Sequence, residues 1–176
     1  MVVQKTTVGR TASAAFPAER IQEVPVKIDT GADSSSIWAS ELHMSKSGVL
    51  SFTLFGIGSP YYSGKRHAAK NYTASLIRSS NGNAQIRYKV PLSIELEGRK
   101  IRGTFTLADR SKNTYPVLVG CALLNKKFVV DVSKRSKIDL PTQHETSETL
   151  TKELKQDPLG FFEKYHIDNQ RGDIEL

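Results

Sequence analysis

The chain of 176 residues holds one cysteine, one tryptophan and two methionines. A lone cysteine, Cys121, closes no internal disulfide, so no covalent framework holds this fold and the chain suits a reducing compartment. No apolar run is long enough to span a bilayer. Residues 1–22 carry charges but lack the continuous apolar stretch of a signal peptide. The expected location is therefore cytoplasmic, with no membrane partner. His43, His67, His144 and His166 lie far apart, and neither a His-Glu-x-x-His run nor a cysteine pair occurs, which argues against zinc. Gly56-Ile-Gly58 continues into no phosphate-binding fingerprint. No metal and no cofactor are expected.

The composition is otherwise that of a folded protein: 38% of the residues are hydrophobic, enough to build a core. The net charge is +7, and it is unevenly spread. From residue 141 onward, Lys152, Lys155, Lys164 and Arg171 face Glu145, Glu148, Glu153, Asp157, Glu163, Asp168, Asp173 and Glu175. The tail is acidic and the body before it strongly basic. Such a body attracts nucleic acid or acidic peptides, and no aromatic stacking motif favours the nucleic acid.

Up to residue 140 the pattern is one of short strands between turn signals, which predicts an all-β fold. Strands are expected at Val24–Ile28, Val49–Phe55, Tyr72–Arg78, Ile86–Leu96, Lys100–Leu107, Val117–Val119 and Phe128–Val132, with a brief helical turn at Ala122–Leu124. Pro25 places the first of these at a strand start or a sheet edge. Asn81-Gly82 between two strand-like runs is a strong hairpin signal, since both residues tolerate the positive φ of a tight turn. Glu97-Gly98 marks a second turn. After Pro141 the sequence turns helical: Glu145–Lys155 forms one helix, Asp157-Pro158 starts another, and order is expected to fade from Asp168. The chain thus divides into a body, 1–140, and a helical acidic tail, 141–176.

Chemistry gathers at Val26-Lys-Ile-Asp-Thr-Gly-Ala-Asp33. An apolar strand ends in a carboxylate, Asp29, set in a turn of small and hydroxylic residues. Gly31 permits a close turn, and Thr30 can hydrogen-bond nearby backbone and stiffen it. That is one way to hold a carboxylate rigidly for acid–base work. Asp-Thr-Gly alone is also an ordinary turn. Its context is more specific: a hairpin signal lies between it and Tyr115-Pro-Val-Leu-Val-Gly120, which runs into Cys121-Ala-Leu-Leu124.

In this order the sequence resembles the retropepsins, and more closely the RimK-associated bacterial and archaeal single-domain group labelled ATP-dependent zinc proteases. The resemblance runs from Val24 to Val132. It rests on Lys27–Asp33, Ile77–Gly82, Thr106–Ser111, Tyr115–Leu124 and Phe128–Asp131. It implies a closed retropepsin-like barrel with a flap hairpin. It also implies an aspartic endopeptidase acting as a homodimer on a peptide or protein substrate. Asp29, Thr30 and Gly31 would be catalytic, with one Asp29 from each chain sharing a proton around a water. Ala32, Asp33, Val119 and the flap residues Ser79, Ser80, Asn81 and Gly82 would meet the substrate. Family members often sit beside genes for ligases that add glutamate-like residues, which hints at acidic substrates. One departure stands out: retropepsins carry Arg where this chain has Cys121, and that Arg pairs with the aspartate at the position of Asp33. Arg110 is a candidate substitute. A peptide-binding module without cleavage is the second reading.

Overall fold

The computed structural model describes residues 4–78, 84–136 and 143–171. The chain divides into two units, Met1–Ile138 and Asp139–Leu176. The first is mostly β. Its strands are β1 (Thr6–Gly9), β2 (Thr11–Phe16), β3 (Ile21–Asp29), β4 (Ser35–Met44), β5 (Leu50–Leu54), β6 (Arg66–Ala69), β7 (Thr73–Arg78), β8 (Ala84–Leu96), β9 (Arg99–Ala108), β10 (Val117–Gly120) and β11 (Phe128–Asp131), with one short helix, α1 (Cys121–Leu124).

Six of these strands pair in a ring: β10–β3–β2–β8–β9–β4 and back to β10. β5 and β6 extend the sheet from β4, and β7 pairs with β8. The ring is irregular, and the expected closed barrel is too strong a description of it. Two of its seams are held by two residue pairs each, Val117↔Ile37 with Leu118↔Ser36, and Ala14↔Leu96 with Ala15↔Glu95. Side chains alternating inward along each strand fill the middle. Phe16, Val24, Val26, Ile37, Phe55, Val90, Phe105 and Val117 are all buried to 2% or less. Phe16 and Phe55 meet edge to face with centroids 5.9 Å apart, a favoured aromatic geometry.

The β8–β9 hairpin turns through Glu97 and Gly98, with φ of 49° and 70°. Two consecutive left-handed residues match the right-handed twist of the flanking strands, as the sequence anticipated. β7 and β8 pair as far as Arg78↔Ala84; the expected flap residues Ser79, Ser80, Asn81 and Gly82 lie outside the described residues. Pro25 sits inside β3 rather than at its start. It lies one residue before β10 begins pairing at Val26, so that side of the strand asks no N–H of it.

The sequence also hid four strands. β1, β2 and β4 are rich in Thr, Ser and Ala, whose low hydrophobic contrast masks the period of two. β6 is short and basic, with no apolar alternation to mark it. It is an edge strand whose His67 ring stacks on Phe52 at 5.2 Å. His67 Nε2 lies 3.2 Å from Glu19, a carboxylate whose side chain is 2% exposed.

The second unit holds α2 (Gln143–Gln156) and α3 (Pro158–Arg171). Asp157 caps α3, its Oδ1 accepting the Gly160 N–H at 3.0 Å, with Pro158 next in the chain. Glu153 joins the two helices by accepting from Lys164 at 2.6 Å and from the Tyr165 hydroxyl at 3.1 Å. α3 continues to Arg171, past Asp168, where order was expected to fade.

Candidate functional site around Asp29

β3 and β10 run parallel, in register Ile28↔Val119 and Asp29↔Gly120. Asp29 therefore ends its strand beside the glycine that ends the other. The loop after Asp29 is held by backbone donors from the second strand and the start of α1. Cys121 N–H donates to Ala32 O at 2.8 Å and Ala122 N–H to Asp33 O at 3.0 Å. Gly120 N–H donates to the buried Ser35 Oγ at 3.0 Å, and Thr106 Oγ1 donates to Ser35 O at 3.2 Å. The two segments that the sequence paired by their order are thus physically clamped together. Within the loop, Gly31 N–H donates to Asp29 Oδ1 at 3.0 Å, which orients a half-buried carboxylate.

Several expectations change in detail. Gly31 does not need a glycine's backbone freedom: the left-handed glycines among the described residues are Gly48, Gly58, Gly64 and Gly98. A Cβ on Gly31 would make ordinary contact with Asp29 Oδ1 at 3.4 Å. The tight position is Gly120, where a Cβ would fall 2.7 Å from Ala32 O and from the Ser34 carbonyl. Val119, expected to meet the substrate, is fully buried in the core beside Ile28. Asp33 is exposed, so it carries no burial penalty. With Thr30 and Cys121 it lines an open groove of about 500 Å³. Cys121 takes its place beside the loop by donating Sγ–H to Thr30 O at 3.0 Å.

Arg110 feels the charge of Asp29. Its Nε donates to Tyr115 O at 3.0 Å, which fixes the half-buried guanidinium on the loop after β9. Burial lowers the Arg110 pKa from its ordinary value, the neighbouring Arg87 charge lowers it further, and the Asp29 carboxylate opposes both. Arg87, on β8, is itself oriented by Gln85 Oε1 at 2.9 Å. The charges of one carboxylate and two guanidiniums therefore act on one another at this end of the ring. No motif marks Arg87, and sequence reading missed it. No group of three His, Cys, Asp or Glu side chains that could hold a metal ion occurs among the described residues.

Next to Arg110, Asp109 Oδ1 accepts the Ser111 N–H at 2.9 Å. That bond, the Ser111 hydroxyl and Lys112 hold its pKa below the ordinary 3.8 against the opposing effect of burial. A lowered folded-state pKa means that the stabilisation is complete above the unfolded value and is lost as pH falls through the folded one. In a side-chain carboxyl NMR titration, Asp109 is expected to show a midpoint below 3.8; a midpoint at or above it would mean that Ser111 does not hold the carboxylate in solution.

Residues 7–140 match the sequence profile of a family described as RimB-like, retropepsin-like aspartic endopeptidase RimB. Two curated proteins, from Shewanella pealeana and Shewanella halifaxensis, are each 30% identical over 133 residues and are each named a probable alpha-L-glutamate ligase. The match covers 74% of this chain and 29% of each of theirs, so the chain spans under a third of these relatives' length. A crystal structure of a protein of unknown function (DUF785) from Legionella pneumophila superposes with a TM-score of 0.57 at 19% identity, covering 77% of this chain and all of that one. It supports the fold. The relatives' name overturns the expected aspartic endopeptidase activity: a glutamate ligase forms the kind of amide bond that a peptidase breaks. Among the described residues, no helix is long and apolar enough to cross a membrane.

Proposed function

Because the chain belongs to the RimB-like, retropepsin-like family, we propose that it serves α-L-glutamate ligation by holding a glutamate-bearing peptide at the Asp29 loop. Two relatives named as ligases support the direction of the chemistry. Because the chain spans 29% of their length, its part is put forward as recognition of the acidic peptide, and the joining step is left to the rest of such an assembly.

One observation carries the reading. Arg110 is a half-buried cation pressed by burial and by Arg87, with only Asp29 to offset them. A buried guanidinium favours a carboxylate partner. A glutamate side chain bridging Arg87 and Arg110 would supply a further negative charge, while Tyr115 O keeps Arg110 in place. The basic body adds long-range attraction for a polyanionic tail.

The test is isothermal titration of the full chain with an oligo-α-L-glutamate peptide and with its oligoglutamine counterpart. Charge-assisted bonds of this type contribute about 1.5–3 kcal/mol, so Arg110→Met is expected to weaken binding by roughly tenfold to a hundredfold. Affinity should also fall steeply with salt. Equal binding of the glutamine peptide, or unchanged affinity in Arg110→Met, would remove the proposal.

A further inference from the structure

We propose a second recognition site, a pocket for a lysine or arginine side chain, floored by Trp38 and rimmed by Glu41 and Asp109. It is independent of the acidic-peptide reading, since it rests on different side chains and prefers the opposite charge. The cavity measures about 480 Å³, within the usual range of ligand pockets.

The floor is apolar. Phe55 adopts a left-handed conformation, with φ of 63°, an uncommon state for a bulky residue, and Gly56 follows it into the space under Trp38. A Cβ on Gly56 would fall 2.5 Å from Trp38 Cζ2, so the indole lies directly on the glycine backbone. Trp38 is half-buried, and it lines the cavity with Leu42 and Ile57. Those two are 43% and 82% exposed, so three large apolar side chains border a space that no described residue fills.

The rim is anionic. Glu41 and Asp109 both line the cavity, with Ser111 beside them. Asp109 is held ionised by its bonds from Ser111. Glu41 is engaged weakly: the Tyr62 hydroxyl donates to it at 3.4 Å, and the exposed Arg66 lies 3.9 Å away. Both carboxylates keep acceptor capacity for an incoming donor.

An apolar floor with two carboxylates above it suits a long apolar stem ending in a cation. The stem covers the apolar side chains while its head stays at the wet rim, and a cation over an indole face gains from the ring quadrupole. A purely aliphatic ligand would leave the carboxylates without a partner, and an acidic one would meet like charge. Because Asp109 precedes Arg110 directly, one peptide could place a basic residue here and an acidic one at Arg110.

Trp38 is the sole tryptophan, so its fluorescence reads this pocket alone. The experiment titrates the full chain with acetyl-Ala-Ala-Lys-Ala-Ala-amide and with the same peptide carrying norleucine, whose stem is similar but uncharged. A saturable emission change is expected, with the lysine peptide at least about fivefold tighter. Glu41→Gln and Asp109→Asn should each reduce that preference, as should added salt. Norleucine binding as tightly as lysine would overturn the proposal, and so would no saturable change with either peptide. A lysine preference untouched in both variants would overturn it as well.

Discussion

Gly120→Ala is expected to destabilise the chain by about 3 kcal/mol, at the upper end for overpacking, while Gly31→Ala should stay within about 1 kcal/mol. Gly120 has φ −92° and ψ 175°, extended backbone that alanine adopts freely, so the cost is purely steric. Its new Cβ would fall 2.7 Å from Ala32 O and from the Ser34 carbonyl. These are backbone atoms: Ala32 O is pinned by the Cys121 N–H, and the Ser34 carbonyl follows Asp33, whose own O accepts the Ala122 N–H, so neither can swing aside as a flexible side chain would. Relief requires parting the Asp29 loop from β10, so binding of the acidic peptide should fall along with stability. Urea denaturation reads the result as a lower midpoint with an unchanged slope. Equal midpoints for the two variants would show that the loop and β10 are not clamped in solution.

Phe105→Ala should cost more, about 4 kcal/mol. Phe105 is fully buried on β9, paired on one side with Val90 of β8 and on the other with Ser35 of β4. Strands on both sides hold its backbone in place, so the cavity left by alanine has little means of collapsing. Phe105→Leu, closer in volume, should lose about 1 kcal/mol. The next residue, Thr106, bonds Ser35 O at 3.2 Å, and Ser35 Oγ receives Gly120 N–H. A packing defect here should therefore loosen the Asp29 loop as well. Thermal unfolding of the two variants decides the matter, and an alanine variant no less stable than the leucine one would contradict the rigid-ring account.

The same strand pairings explain what could be read from the residues beforehand. Val117–Gly120 and Phe128–Asp131 are short, apolar and bounded by turn signals, and both form strands. Glu97-Gly98 and Asp157-Pro158 carry their conformations in local chemistry, and both are where they were expected. β2 and β4 escaped because Ala12, Ala14, Ser35 and Ser36 are buried by tertiary pairing, which a local pattern does not register. Asp29 was legible as a carboxylate at a strand end. The importance of Gly120 over Gly31 was not, because it depends on how closely two distant segments approach. Arg87 and Arg110 were hidden for a related reason: the β8–β9 pairing, which extends to Lys89↔Thr106, brings them to one end of the hairpin, and no local pattern records that register. The residues pointed to a peptidase, and the name of the two relatives overturned that expectation.

β1 and β11 lie side by side and parallel, from Thr6↔Phe128 to Gly9↔Asp131, with Ser136 N–H stitched to Thr11 Oγ1 at 2.9 Å. Three residues of rise at about 3.3 Å each put the start of β1 roughly 10 Å from the end of β11. The polypeptide enters and leaves the ring through one small doorway. Such a body can be spliced into, or lifted out of, a longer protein as a cassette, because a single short break in the host accommodates both connections.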